Sequence, residues 1–351
     1  MSLTSPRPRF WVLVADFLDE AAIETEILGD LADLTLAQAF DETALSPYLE
    51  PQGAGSDAQG PDAVLLFHDL KRLSAASFKR MTRCKVVVRA GVGFDNVDLD
   101  AANQAGIPVC NVPDYGTEEV ADHALMLLLA VARRLIDCDR PLRQGRWNAS
   151  FVHGAPRLRG KTLGLVGCGR IGTAMVLRAK PLGLRVMVHD PKAVRGLDKA
   201  LGVERVETLA ELAAQADFLS LHCPLDSSTY HLINHAIFSV MKPGAILINT
   251  ARGPVVDETA LLEALERGPL AGAGLDVLES EPPAAERLTA LLNHPRVIVT
   301  PHVAFYSVEG YRELRHKAAH EVRRALLGQP LWNVVNAPQP RSGGELGWER
   351  P

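Results

Sequence analysis

Short apolar runs recur along the chain, separated by longer segments whose apolar positions follow helical spacing. Residues 11–14, 63–67, 86–88 and 109–112 read as strands in the first third. A second series covers 163–166, 185–189, 218–223, 245–250, 274–277 and 297–300. Near-continuous apolar runs of this length are what strands buried on both faces show. Strands alternating with helices predict an α/β chain with doubly wound parallel sheets. Residues 100–106 read as a short helix with a glycine stop. Residues 117–137 read as one long helix, with Thr117 as candidate N-cap and Glu118 and Glu119 set against the helix dipole. Segment 50–61 is a loop by composition. The tail after Asn336, rich in Pro, Gly and charge, is expected to be disordered.

One strand–helix junction carries more than pattern. The run 162–166 leads into Gly167-Cys168-Gly169-Arg170-Ile171-Gly172, followed by helix-forming residues. This is the G-x-G-x-x-G spacing of a dinucleotide-binding turn. Its first glycine permits the tight turn, the second lets backbone approach a pyrophosphate, and the third lets helix and strand pack closely. The helix N-terminus adds unpaired N–H groups for the phosphates. The next strand ends in Asp190, 18 positions beyond Gly172. An acid there is placed to bond the ribose hydroxyls of NAD and to repel the extra phosphate of NADP.

Six strands from 163 to 300 fill a complete dinucleotide-binding sheet. The last helix, residues 307–327, then has no strand of its own there and is expected to return to the first domain. The chain is therefore divided into a discontinuous domain, 1–113 plus 307–351, and an inserted NAD-binding domain, 114–306.

Composition narrows the function classes. The chain has 351 residues, enough for two domains, and a formal net charge of −5. That charge offers no electrostatic grip on nucleic acid or an anionic membrane. No apolar run approaches membrane-spanning length, and the N-terminus lacks the apolar core of a signal peptide. Five cysteines without a C-x-x-C pair argue against a disulfide framework or a metal site and suit a reducing cytoplasm.

Three further segments follow strands of the second series, at the edge where open α/β sheets bind ligands. They bring Arg252, the acidic pair Glu279 and Glu281, and His302. The planar fork of Arg252 can clamp a carboxylate and polarise a neighbouring carbonyl. His302 can exchange a proton with the reacting oxygen. A glutamate beside it would orient the imidazole and stabilise its charge. Glu281, followed by Pro282, is the choice over Glu279, which the same loop also offers. Gly91-Val92-Gly93 follows the strand at 86–88. Its N–H groups could face a substrate carboxylate, an ordinary turn being the alternative. Phe305 and Tyr306 offer an aromatic wall for a substrate side chain.

Together these segments resemble the D-isomer-specific 2-hydroxyacid dehydrogenase family over residues 60–336. The matching strings include RAGVGFDNVD from Arg89, EEVADHA from Glu118, GLVGCGRIG from Gly164, HCPL from His222, NTARGPVVDE from Asn249 and TPHVA from Thr300. The resemblance implies a flavodoxin-like substrate domain with a Rossmann NAD domain inserted in it. It implies NAD as cofactor and a small 2-oxo or 2-hydroxy acid as substrate. It also implies a homodimer formed through the NAD domain, with helix 117–137 contributing. It assigns catalysis to Arg252, Glu281 and His302. Cofactor contacts would come from residues 167–172 and Asp190, from the 223–229 loop with Cys223, Pro224 and Thr229, and from Thr250, Ala251, Arg252, Asp276 and His302. Asp276 would reach the nicotinamide amide. Substrate contacts would come from Gly91, Val92, Gly93, Arg252 and Phe305.

Within the family the chain looks most like the C-terminal-binding-protein branch. Phe305 stands where that branch usually has Trp, and Val92 where it commonly has Ser, so the pocket is expected to differ. The branch brings a second reading, an NADH-responsive corepressor-like interaction protein. The retained Arg, Glu and His argue instead for chemistry, since a pure sensor has no need of an acid–base pair.

Overall fold

The structure is a computed structural model that describes residues 9–50 and 60–339. The centre of the 50–61 loop and the chain from residue 340 onward lie outside the described residues. Two compact units result: residues up to Gly116 together with those from Ser307 onward, and Thr117–Tyr306.

The first unit holds a five-stranded sheet. Its strands are β1 (Phe10–Val14), β2 (Ala32–Leu36), β3 (Ala63–Leu66), β4 (Val86–Arg89) and β5 (Val109–Asn111), in the order β2-β1-β3-β4-β5. All its pairings are parallel. β3, β4 and β5 are buried along their whole length, as expected of strands covered on both faces. β2 was not expected. Its Asp33 and Thr35 interrupt the apolar run because it lies at the sheet edge, where one face meets solvent.

Helix Val308–Leu326 belongs to this unit, capped by the Ser307 side chain, which accepts from the Gly310 N–H at 2.8 Å. Along it, Arg315 forms a two-pronged ion pair with Glu24 of helix Ala22–Leu28, with Nε–Oε1 2.9 Å and Nη2–Oε2 2.6 Å. Both side chains are buried.

The second unit holds a seven-stranded sheet. Its strands are β6 (Thr162–Val166), β7 (Arg185–His189), β8 (Glu204–Arg205), β9 (Phe218–Leu221), β10 (Ala245–Asn249), β11 (Leu270–Leu275) and β12 (Val297–Val299). The order is β12-β11-β10-β9-β6-β7-β8, again all parallel. The strand order reverses between β6 and β9, which opens a crevice beyond their carboxyl ends. The two-residue strand β8 escaped notice because it is short, charged and at an edge. A buried core on one face gathers Leu219, Leu247, Ala273 and Leu291, and on the other Leu127, Leu165, Met175 and Ile248.

The long helix differs from expectation. Helix Thr117–Ala132 begins at Thr117 itself, and a second helix, Leu135–Arg143, follows a break at Arg134. Arg134 has φ 55°, a left-handed conformation rare outside glycine. No Gly or Pro marks the break, so hydrophobic periodicity runs through it undetected. Among the described residues no helix is long and apolar enough to cross a membrane.

Candidate active site

The glycine turn sits at the end of β6, where the crevice opens. Gly167 has φ 93°, and a Cβ there would meet the His222 and Cys223 backbone within 2.9 Å. A Cβ on Gly172 would lie 2.4 Å from the Gly167 carbonyl oxygen. Both positions demand glycine for reasons internal to the protein. Gly169 is different: its φ is an ordinary −74°, and a Cβ would meet nothing within 4 Å. The space beside it, at the N-terminus of helix Arg170–Ala179, fits an incoming pyrophosphate.

Asp190 follows β7. Its carboxylate accepts from the Cys168 N–H at 2.8 Å and from the Lys192 N–H at 2.9 Å. The acid expected to meet a ribose therefore also braces the glycine turn. Val188, Ala193, Leu197 and Arg205 line a small recess beside it. Cys168 lies in the turn itself and is buried. Burial pushes both its thiol and that of Cys223 up, Cys223 to about 11, so neither is poised as a nucleophile.

The 223–229 loop follows β9 and is held by Thr229. Its hydroxyl donates to the Pro224 carbonyl at 2.7 Å and accepts from the Asp226 N–H at 2.8 Å. His222, just before this loop, accepts or donates at Nε2 to Ser220 Oγ, 2.9 Å away. Burial lowers its pKa to about 4, so it stays neutral.

After β10 the chain turns through Thr250, Ala251 and Arg252. Asn249, which sequence reading gave no role, spans the turn: Oδ1 accepts from the Ala251 N–H at 3.0 Å and Nδ2 donates to the Arg252 carbonyl at 2.9 Å. Thr250 Oγ1 is enclosed and has no hydrogen-bond partner among the described residues. A buried hydroxyl in that state fits a site completed by a ligand. Arg252 is half-buried, with Nη1 donating to the Ala251 carbonyl at 2.8 Å.

The loops after β11 and β12 bring the acid and the histidine together. Glu281 Oε2 lies 2.6 Å from His302 Nδ1, and Glu281 Oε1 accepts from the Leu278 N–H at 3.0 Å. Burial alone would raise the Glu281 pKa. The hydrogen bond and charge of His302, the Leu278 N–H and the nearby Arg252 outweigh it and hold the carboxyl below its ordinary value. Glu279 points elsewhere: it pairs with His231 Nε2, and its N–H donates to the buried Glu258 at 2.6 Å. The structure thus separates two acids that the sequence offered as alternatives.

Asp276, at 1% exposure, is enclosed beneath this loop. The His302 N–H donates to its carbonyl at 2.7 Å. Phe305 stands edge-on to His302, with ring centroids 6.5 Å apart.

In the first unit, residues 91–93 follow β4. The Gly91 carbonyl accepts from the Val112 N–H at 3.0 Å and the Val92 carbonyl from Asn111 Nδ2 at 2.8 Å. A Cβ on Gly91 would run into the Arg89 guanidinium. This turn is braced from below, with Val92 at the surface.

Residues 125–304 match the family described as D-isomer specific 2-hydroxyacid dehydrogenase, NAD binding domain. The D-3-phosphoglycerate dehydrogenase of Methanocaldococcus jannaschii is 36% identical over 327 residues, which is 93% of this chain and 59% of that protein. The chain spans between half and three fifths of the length of the curated relatives it matches. Among solved structures, a glyoxylate reductase from Paecilomyes thermophila is similar at TM-score 0.83 and 29% identity, covering 94% of this chain and 99% of that one. A D-lactate dehydrogenase from Aquifex aeolicus, complexed with NAD and lactic acid, is similar at TM-score 0.79 and 29% identity, covering 93% and 100%. The similarity is family-wide and does not single out the C-terminal-binding-protein branch. The corepressor-like reading finds no support among these relatives.

Proposed function

The chain belongs to the D-isomer-specific 2-hydroxyacid dehydrogenase family, and on that premise we propose that it interconverts a D-2-hydroxy acid and its 2-oxo acid with NAD as cofactor. The observation that carries this reading is the 2.6 Å pairing of His302 Nδ1 with Glu281, beside Arg252, at the carboxyl edge of the NAD-binding sheet.

Bound NAD supplies the acceptor or donor of the hydride. The chain's own residues do the rest. Residues 167–172 would hold the pyrophosphate, Asp190 the ribose, and Thr250 the cofactor through its enclosed hydroxyl. Arg252 presents a planar fork to the substrate carboxylate. With Nδ1 committed to Glu281, His302 exchanges the proton of the reacting oxygen at Nε2. Ionised Glu281 stabilises the imidazolium formed when the hydroxy acid is oxidised, so proton uptake costs less in the transition state. The turn at residues 91–93 is assigned to carboxylate binding and Phe305 to the wall of the pocket.

We also assign a homodimeric state. Leu135, Leu142 and Trp147 lie within one stretch of the second unit and are exposed, Trp147 at 90%. Large apolar side chains exposed along one short stretch of chain favour an interaction surface there. Sedimentation equilibrium is expected to give twice the chain mass; a monomer at micromolar concentration would remove this assignment. Five free cysteines, most of them buried, suit the reducing cytoplasm.

The activity is tested by following NADH oxidation against glyoxylate, hydroxypyruvate, phenylpyruvate and 4-methylthio-2-oxobutyrate. Turnover on at least one is expected, with loss of most of it in Arg252→Ala. Tight NADH binding without turnover on any 2-oxo acid would overturn the reading.

A further inference from the structure

His123 lies on helix Thr117–Ala132, within the EEVADHA string, which carries the family resemblance but assigns this histidine no role. Its Nε2 is 2.9 Å from Thr300 Oγ1, and Thr300 Oγ1 is 2.6 Å from Asp276 Oδ1. A threonine hydroxyl has one proton, and an ionised carboxylate only accepts. The Thr300 proton therefore goes to Asp276, and its oxygen accepts from His123. That assignment places a proton on His123 Nε2. Nε2 also lies 3.5 Å from Asp276 Oδ1, close enough to favour the negative charge.

Asp276 in turn holds the loop that carries His302. Its Oδ1 accepts from the Val303 N–H at 3.0 Å, and its Oδ2 from the Ala304 N–H at 2.9 Å. With the His302 N–H on its carbonyl, three consecutive amides end on this one residue. The loop needs such restraint. His302 has φ 53°, a left-handed conformation that costs a non-glycine residue free energy and persists only where surroundings over-determine it. A buried carboxylate is also tolerable only while its donors are in place.

We propose that His123 is a positioning residue for the acid–base histidine, acting through Thr300 and Asp276 to fix the backbone of residues 302–304. The catalytic part of this inference rests on the reading of His302 given above. Without the His123 N–H, the Thr300 oxygen loses the donor that orients it, Asp276 loses one restraint, and the His302 imidazole drifts from the geometry its proton transfer requires.

The test compares His123→Ala with His123→Gln, whose Nε2 amide can donate from nearly the same place. In His123→Ala, kcat is expected to fall about tenfold or more, with the KM for the 2-oxo acid and the NADH Kd little changed. Amide hydrogen exchange at residues 302–304 is expected to quicken. His123→Gln is expected to restore both kcat and protection. Unchanged exchange protection in His123→Ala, or a folded His123→Gln that restores neither property, would overturn the proposal. Should His123→Ala fail to fold, Thr300→Ser against Thr300→Val asks the same question: Ser keeps the relay and Val breaks it. The exchange readout does not depend on turnover, so failure of the dehydrogenase reading itself would show separately, as an inactive wild-type protein with the relay intact.

Discussion

Replacing His302 with alanine is expected to lower turnover by roughly a hundredfold to ten-thousandfold, the range over which a positioned acid–base group contributes. NADH affinity is expected to stay within about threefold, because the glycine turn and Asp190 lie on other strands and lose nothing. The size of the effect follows from what the pair does. Glu281 lies below its ordinary pKa because His302 bonds it, so it remains ionised through the neutral range and holds Nδ1. Removing the ring removes the group that carries the proton to and from the reacting oxygen. Glu281→Gln is the milder control: it keeps a polar partner for Nδ1 but takes away the charge that stabilises the imidazolium. Stopped-flow hydride transfer, paired with NADH fluorescence titration, separates the two quantities. Turnover near that of the wild type in His302→Ala would take His302 out of the mechanism.

The largest effect on stability is expected at Glu24. Its carboxylate is wholly buried and receives both prongs of Arg315, which also donates to the Glu20 carbonyl at 3.0 Å. Glu24→Ala strands a guanidinium that has almost no access to water, a change that costs about 3–5 kcal/mol in comparable buried pairs. The pair itself is worth far less than that, because taking two charges out of water offsets most of their attraction. Replacing both partners together with apolar residues of similar volume is therefore expected to restore much of the loss. Urea unfolding of the two single variants and the double variant measures this directly. A Glu24→Ala loss below about 1 kcal/mol would mean that water or another group reaches Arg315. Because the two residues lie 291 positions apart, the same experiment reports whether helix Val308–Leu326 is docked on this unit in solution.

Much of this protein was legible in its residues. The apolar runs announce most of the strands because a parallel strand covered on both faces must be apolar along its length. The spacing of Gly167, Gly169 and Gly172 announces the turn because two of those positions admit no Cβ at all. The strand ends that deliver Arg252, the acids and His302 follow from the same reading, since ligands bind where parallel strands end. Strands β2 and β8 were lost because edge strands carry polar and charged residues, and the break at Arg134 because no turn residue marks it. What no local pattern could decide was pairing across distance. Glu281 rather than Glu279 meets His302 only because the loop after β11 turns one acid inward and gives the other to His231. His123 reaches Thr300 from 177 residues away, and Arg315 reaches Glu24 from 291. Local sequence determines backbone period and turn chemistry, which act over a few residues. Partners for buried charges are chosen by the packing of whole elements, and only the tertiary structure brings them within hydrogen-bond reach.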